Sequence, residues 1–176
     1  MNWYALSVET GKEEIVQKFL RVHFDKSTLH SFSPKRKIPE KKAGKVYNAL
    51  RTIFPGYVLI RTNMTPDIFY KIKEIPNCYK MVNNGDVYSK ERGVYYSKIE
   101  DEEIDPIIKL INPEGIIEYS KIYAANSKVL VKGGPLKGME AIIKKVDKHK
   151  NRAKILLNFM GKERLIDVGI ITLIEP

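Results

Sequence analysis

Apolar and polar positions follow two different rhythms along this chain. "NWYALSV" near the start has the aromatic and aliphatic content of a strand. After Gly11, Ile15, Val16, Phe19, Leu20 and His23 recur at helical spacing, with Glu13 and Glu14 in the first turn, where the helix dipole favours acids. This predicts a strand followed by an amphipathic helix over Lys12 to His23. "SFSPKRKIPEKKAGKVYNALR" is polar, broken by proline and dense in Lys and Arg, which predicts an extended stretch leading into a mobile basic loop. "IFPGYVLIRT" restores an apolar strand with Pro55 and Gly56 at its start, where a missing amide donor is tolerated. Thr65 and Pro66 read as the N-cap and first residue of a helix over "DIFYKIKEI". "CYKMV" reads as a short strand, and Asn83, Asn84 and Gly85 as the turn after it. In "KIEDEEIDPIIKLI" the carboxylates precede Ile107, Ile108, Leu110 and Ile111, as in a helix with an acidic first turn and a buried face.

Asn112, Pro113, Glu114 and Gly115 end that helix, and the chain then shows no strong period until about Asn126. Beyond it the pattern is all β. "KVLVK", "MEAIIKKV", "RAKILLNF", "ERLIDV" and "ITLI" are separated by "GGPLKG", "DKHKN", "MGK" and a lone Gly169. Such short strands leave exposed edges unless they close on themselves, so a small closed barrel is expected. The resulting division is a first domain over 1–111, a linker over 112–125 and a barrel over 126–176. The fold class is α+β, an antiparallel sheet with flanking helices, followed by a small all-β barrel.

The 176 residues carry a net charge of +10 and are 43% hydrophobic, enough to bury a core, and the excess of Lys and Arg favours a polyanionic partner. The N-terminal residues lack the features of a secretory signal and no apolar run is long enough to span a bilayer, so no membrane partner and a cytoplasmic, monomeric protein are expected. Cys78 is the only cysteine and reads as a small buried hydrophobe. His23, His30 and His149 have no accompanying nucleophile and base, and no group of residues has metal-ligand spacing. "GGPLKG" precedes a strand instead of a helix, unlike a phosphate-cradling loop. No catalytic residue, metal or cofactor is expected, and the chain does not read as an enzyme.

"VKGGPLKGMEAIIKKVD" resembles the KOW motif, and "NWYALSV" with its helix, together with "FPGYVLI", resembles the N-terminal (NGN) domain of the NusG family of bacterial transcription factors. The two matches cover nearly the whole chain in the expected order. The barrel is therefore expected to be an SH3-like KOW domain. The stretch "NNGDVYSKERGVYYSKI" departs from the glycine-rich strand and proline-rich approach of ordinary NusG proteins, and the barrel is more basic. Both point to a specialised paralogue, most similar to the LoaP antiterminators, with RfaH a more distant relative. The resemblance implies a processive antiterminator without chemistry of its own, riding on RNA polymerase and holding a nascent RNA hairpin. The alternatives are a general elongation factor coupling polymerase to ribosomal protein or a termination factor, and a ribosome-associated rRNA-binding protein.

The RNA-binding candidates are Lys144, Lys145, Lys148, His149, Lys150, Asn151, Arg152 and Lys154, which can fan from a hairpin tip over a ribose-phosphate backbone. Lys132 and Lys137 flank the Gly-Pro turn, and Lys162 and Arg164 lie on the next hairpin; joining them to one patch depends on which loops are neighbours. Such contacts position a ligand without reading its sequence. The resemblance further implies that Phe54, Pro55 and Tyr57 lie in or beside an apolar surface that docks on the clamp helices of RNA polymerase, with Trp3 and Tyr4 helping to build it or serving as core. The loop from Lys35 to Lys45 is left facing polymerase, DNA or solvent.

Overall fold

The computed structural model describes residues 1–82, 88–89 and 94–174. In chain order the elements are β1 (Asn2–Val8), α1 (Glu13–His23), β2 (Leu29–Phe32), β3 (Lys35–Lys42), β4 (Lys45–Thr52), β5 (Tyr57–Thr62), α2 (Pro66–Lys73), β6 (Cys78–Met81), β7 (Tyr88–Ser89), β8 (Val94–Tyr95), α3 (Asp101–Leu110), β9 (Ile116–Ile117), β10 (Ser120–Ala125), β11 (Lys128–Gly133), β12 (Ile143–Asp147), β13 (Arg152–Phe159) and β14 (Lys162–Thr172). A 3-10 turn over Glu140–Ile142 precedes β12. The expected turn at Asn83, Asn84 and Gly85 lies outside the described residues.

These elements form two compact units, one of residues 1–33 and 54–104 and the other of residues 34–53 and 105–176. The first is built on an antiparallel sheet in the order β2-β5-β1-β6. Alternation along β1 and β5 sends Tyr4, Leu6, Val8, Val58 and Ile60 to one face, where they pack with Val16 and Leu20 of α1 and Phe69 and Ile72 of α2. Thr65 caps α2 by accepting from the Ile68 amide at 3.3 Å, with Pro66 opening the helix, as its sequence predicts. Glu13 does more than complement a helix dipole. It is buried, and its Oε1 accepts from the Gly56 amide at 2.7 Å, tying α1 to the turn before β5. In that turn the Tyr57 amide donates to the Phe54 carbonyl and Gly56 has φ +83°, which is the demand that places glycine third and lets proline stand second. Cys78 is half-buried, and burial pushes its thiol up to about 11, so the only cysteine is a poor nucleophile.

The second unit holds a curled five-stranded sheet in the order β11-β10-β14-β13-β12. Its core is Ile122, Val131, Leu136, Ile155, Leu157, Phe159 and Ile166. Three differences from the sequence reading stand out. Ser120–Ala125, read as linker, is β10, which lies between β11 and β14 and pairs in parallel with β14. "MEAIIKKV" does not begin as a strand, because the 3-10 turn intervenes and β12 starts at Ile143. Gly169 separates nothing: β14 runs through it from Lys162 to Thr172, so "ERLIDV" and the first two residues of "ITLI" are one strand. The sheet ends in β11 and β12, which do not pair with each other, so hydrogen bonding does not close the barrel.

The turn "GGPLKG" reverses the chain where Gly134 and Gly138 adopt φ of +92° and +81°. A Cβ on Gly134 would lie 2.6 Å from the Ser120 Cα, and the Ser120 hydroxyl accepts from the Leu136 amide at 3.0 Å. The glycines thus seat the turn against β10.

Candidate functional site

The basic segment read as a mobile loop is a regular hairpin. β3 and β4 pair over eight residues each, from Lys35 opposite Thr52 to Lys42 opposite Lys45, closed by Ala43 and Gly44 with φ of +49° and +78°. Two successive left-handed residues give the twist a two-residue hairpin needs. Glu40 links the two strands on the face that also carries the buried Ile38 and Ala49, accepting from Arg51 Nε at 2.7 Å and Nη2 at 2.6 Å and from the Tyr47 hydroxyl at 3.0 Å. The Arg51 hydrogen bonds are the first cause that lowers the Glu40 carboxyl to about 2.

This hairpin packs on the curled sheet within the second unit. Arg152 Nη2 donates to the Pro39 carbonyl at 2.7 Å, Lys37 pairs with Glu118 at 2.7 Å, and the Tyr119 hydroxyl donates to Asn48 Oδ1 at 2.6 Å. Gly169 sits beneath Tyr119 and Lys37, where no side chain would fit. The result is a mixed charge cluster. Lys154 and Arg152 reach Asp167 at 3.0 and 3.8 Å, and Arg36 lies within their field. Burial above all lowers the affinity of Arg36 for its proton; Arg152 and Arg51 add to this, and Asp167 and Glu40 oppose it.

The tip between β12 and β13 is ordered by its one acid. Asp147 Oδ1 accepts from the Lys150 amide at 3.0 Å, the bond that chiefly lowers its pKa, and Asn151 adopts φ +49° while its Oδ1 accepts from the Thr172 hydroxyl. Lys148, His149 and Lys150 are consequently held outward and exposed. Lys144 and Lys145 are exposed on β12, with Lys145 opposite Lys154. Of the RNA-binding candidates, these form one group with Arg152, Lys154 and Asn151, although Arg152 and Lys154 are engaged in protein contacts. A groove of about 250 Å³ adjoins Lys148, between the Asn126–Ser127 turn and Val146. Lys132 and Lys137 are exposed on β11 and the turn that follows, while Lys162 is exposed at the start of β14. Arg164 lies over the Phe159 ring at 5.4 Å.

The aromatic candidates of the first unit divide. Phe54 and Tyr4 are buried, at 1% and 5% exposure, so neither ring is presented to a partner. Pro55 is exposed, and Trp3 and Tyr57 are partly so. Trp3 and Tyr57 lie on the sheet face opposite the main core, where Trp3 meets Phe32 edge-on at 5.3 Å and Arg61 lies 5.6 Å from its ring. Phe32 was missed from sequence, since only the β1–β5 and β2–β5 registers put it beside Trp3. Among the described residues there is no group of His, Cys, Asp and Glu able to hold a metal, and no helix is long and apolar enough to cross a membrane.

Residues 1–108 match the family model described as transcription termination factor nusG, and residues 126–155 match the KOW motif. The chain belongs to the NusG family. This NusG-family chain is 24% identical over 172 residues to the transcription termination/antitermination protein NusG of Halalkalibacterium halodurans, covering 95% of this chain and 94% of that protein. It is 26% identical over 174 residues to the protein of the same name from Rickettsia prowazekii, covering 96% and 86%. The solved structure titled "Domain interaction in Thermotoga maritima NusG" shares the fold with a TM-score of 0.53 at 19% identity, covering 96% of this chain and 93% of that one. NusG proteins are non-enzymatic transcription elongation and termination factors that bind RNA polymerase, and this chain is one of that family.

Proposed function

We propose that this NusG-family protein is a specialised antiterminator of the LoaP kind, which rides on RNA polymerase and holds a nascent RNA hairpin through its KOW domain. The observation that carries the reading is the β12–β13 tip, where one aspartate fixes the turn and Lys145, Lys148 and Lys150 stand exposed without a salt bridge among the described residues. Cations that are not neutralised internally are the ones that release counterions from a phosphate backbone. The groove beside Lys148 offers space for an unpaired base, and RNA recognition commonly targets such bases. Polymerase would be met by Trp3, Phe32, Pro55 and Tyr57, with Phe54 and Tyr4 supporting them from the core. A ligand that binds one polymerase conformation better shifts the population toward it, and tethering through RNA confines that action to one transcript.

The end-to-end similarity to proteins named for general termination and antitermination favours a second reading, a general elongation factor whose KOW domain contacts a ribosomal protein or a termination factor. Sequencing of RNAs cross-linked to the protein in cells separates the two. One dominant leader hairpin is expected for the antiterminator; reads spread evenly over transcripts refute it and leave the general reading.

A further inference from the structure

We propose that the RNA-gripping surface is composite, with the β3–β4 hairpin supplying a second set of phosphate-binding lysines beside the β12–β13 tip. The inference rests on the RNA-binding reading above and extends it to residues that precede the KOW motif by some eighty positions in sequence.

The anchor point of β3 carries the argument. The Lys37 carbonyl faces Gly169 of β14, and two residues later the Pro39 carbonyl accepts from Arg152 of β13. Gly169 and Arg152 are cross-strand partners. The bond from Arg152 thus anchors β3 at the end of the ladder where the tip begins, because Arg152 is also the cross-strand partner of Asp147. A strand advances about 3.3 Å per residue, so Lys41 and Lys42 come roughly 7–10 Å beyond the Pro39 contact. The outer end of one hairpin is thereby tied to the base of the other.

Charge then sorts the lysines from the rest. The cations nearest the junction are spent: Arg51 on Glu40, Arg152 on Pro39 and Asp167, Lys154 on Asp167, Lys37 on Glu118. Those farther out are not. Lys41, Lys42 and Lys45 on one tip and Lys145, Lys148 and Lys150 on the other are exposed and form no salt bridge among the described residues. The hydrogen bond from Arg152 to Pro39 ties the two hairpins to each other; the outer lysines face solvent as two groups of charge without a salt bridge among the described residues. A partner with two lines of phosphates fits this arrangement, and an RNA stem has them. A side chain at either tip would reach phosphates without reading bases, so any sequence choice falls to the groove beside Lys148.

The test uses the full chain and a 20-base-pair RNA stem-loop of arbitrary sequence. Binding is measured from low to moderate salt for wild type, for K41Q/K42Q/K45Q and for K148Q/K150Q, with circular dichroism and melting confirming that each is folded. Each lost phosphate contact lowers the slope of log affinity against log salt by about 0.9 for a duplex. Both variants are expected to lose at least one such step, and Gly169→Ala, which displaces the hairpin, is expected to lose as much as the Lys41 set. If only the Lys148 set changes the slope, the composite surface is refuted while RNA binding by the barrel stands. If neither changes it, both readings fall. A Lys41 set that weakens binding to duplex DNA or to polymerase but not to the stem-loop assigns the hairpin to another partner and likewise overturns the proposal.

Discussion

Gly169→Ala is the sharpest probe of how the second unit is held together. Gly169 lies in the middle of β14 with no positive φ to satisfy, so its demand is one of space alone. A Cβ there would overlap the Tyr119 ring and lie 2.6 Å from the Lys37 carbonyl oxygen. Swinging the ring aside breaks the 2.6 Å bond from its hydroxyl to Asn48, and the carbonyl is backbone and can move only with β3. Overpacking of this kind costs about 1–3 kcal/mol. The lost hydrogen bond adds about 0.5–1.5 kcal/mol, giving a total of roughly 2–4 kcal/mol. At this chain length 1 kcal/mol corresponds to about 2–4 °C, so the melting temperature should fall by roughly 5–15 °C. Urea unfolding measures the loss, and amide exchange over 35–52 locates it. The double variant Gly169→Ala with Tyr119→Ala should recover part of it, because the ring is one of the two obstacles. A loss under about 0.5 kcal/mol with hairpin exchange unchanged would refute docking through this contact.

A fragment of residues 126–176 lacks β10, the strand between β11 and β14, and is expected to be unfolded by circular dichroism, whereas 112–176 should melt cooperatively; a folded shorter fragment contradicts the sheet order. Glu13→Ala leaves the Gly56 amide buried without an acceptor and should destabilise by about 1–3 kcal/mol in urea, while Glu13→Gln should cost clearly less. The Glu40 carboxyl is depressed from 4.5 to about 2 in the folded chain, so its stabilising contribution is complete above 4.5 and disappears as pH falls through about 2. The melting difference between wild type and Glu40→Gln should therefore hold from pH 7 to 5 and shrink between pH 4.5 and 2; a difference that persists at pH 2 contradicts the assigned pairing.

Local chemistry made much of this chain legible. The period of Val16 and Leu20, the cap at Thr65 and Pro66, and the alternation of "RAKILLNF" each depend on neighbours a few residues away, and each appears where the sequence puts it. Glycines were legible as a need but not as its cause. Gly56 and Gly134 answer positive φ, which a turn announces, while Gly169 answers a ring fifty positions earlier, which only folding brings near.

The sequence by itself determined α1, α2, α3, the strands β1, β5 and β13 and the KOW and NGN resemblances, because propensity, capping and hydrophobic period act within one element. Only the tertiary structure decided that the Lys-rich, proline-interrupted segment is a hairpin docked on the sheet, that 120–125 is a strand, and that Phe54 and Tyr4 are buried. Strand formation in such segments depends on the partner across the ladder and the surface beneath, and both lie far away along the chain.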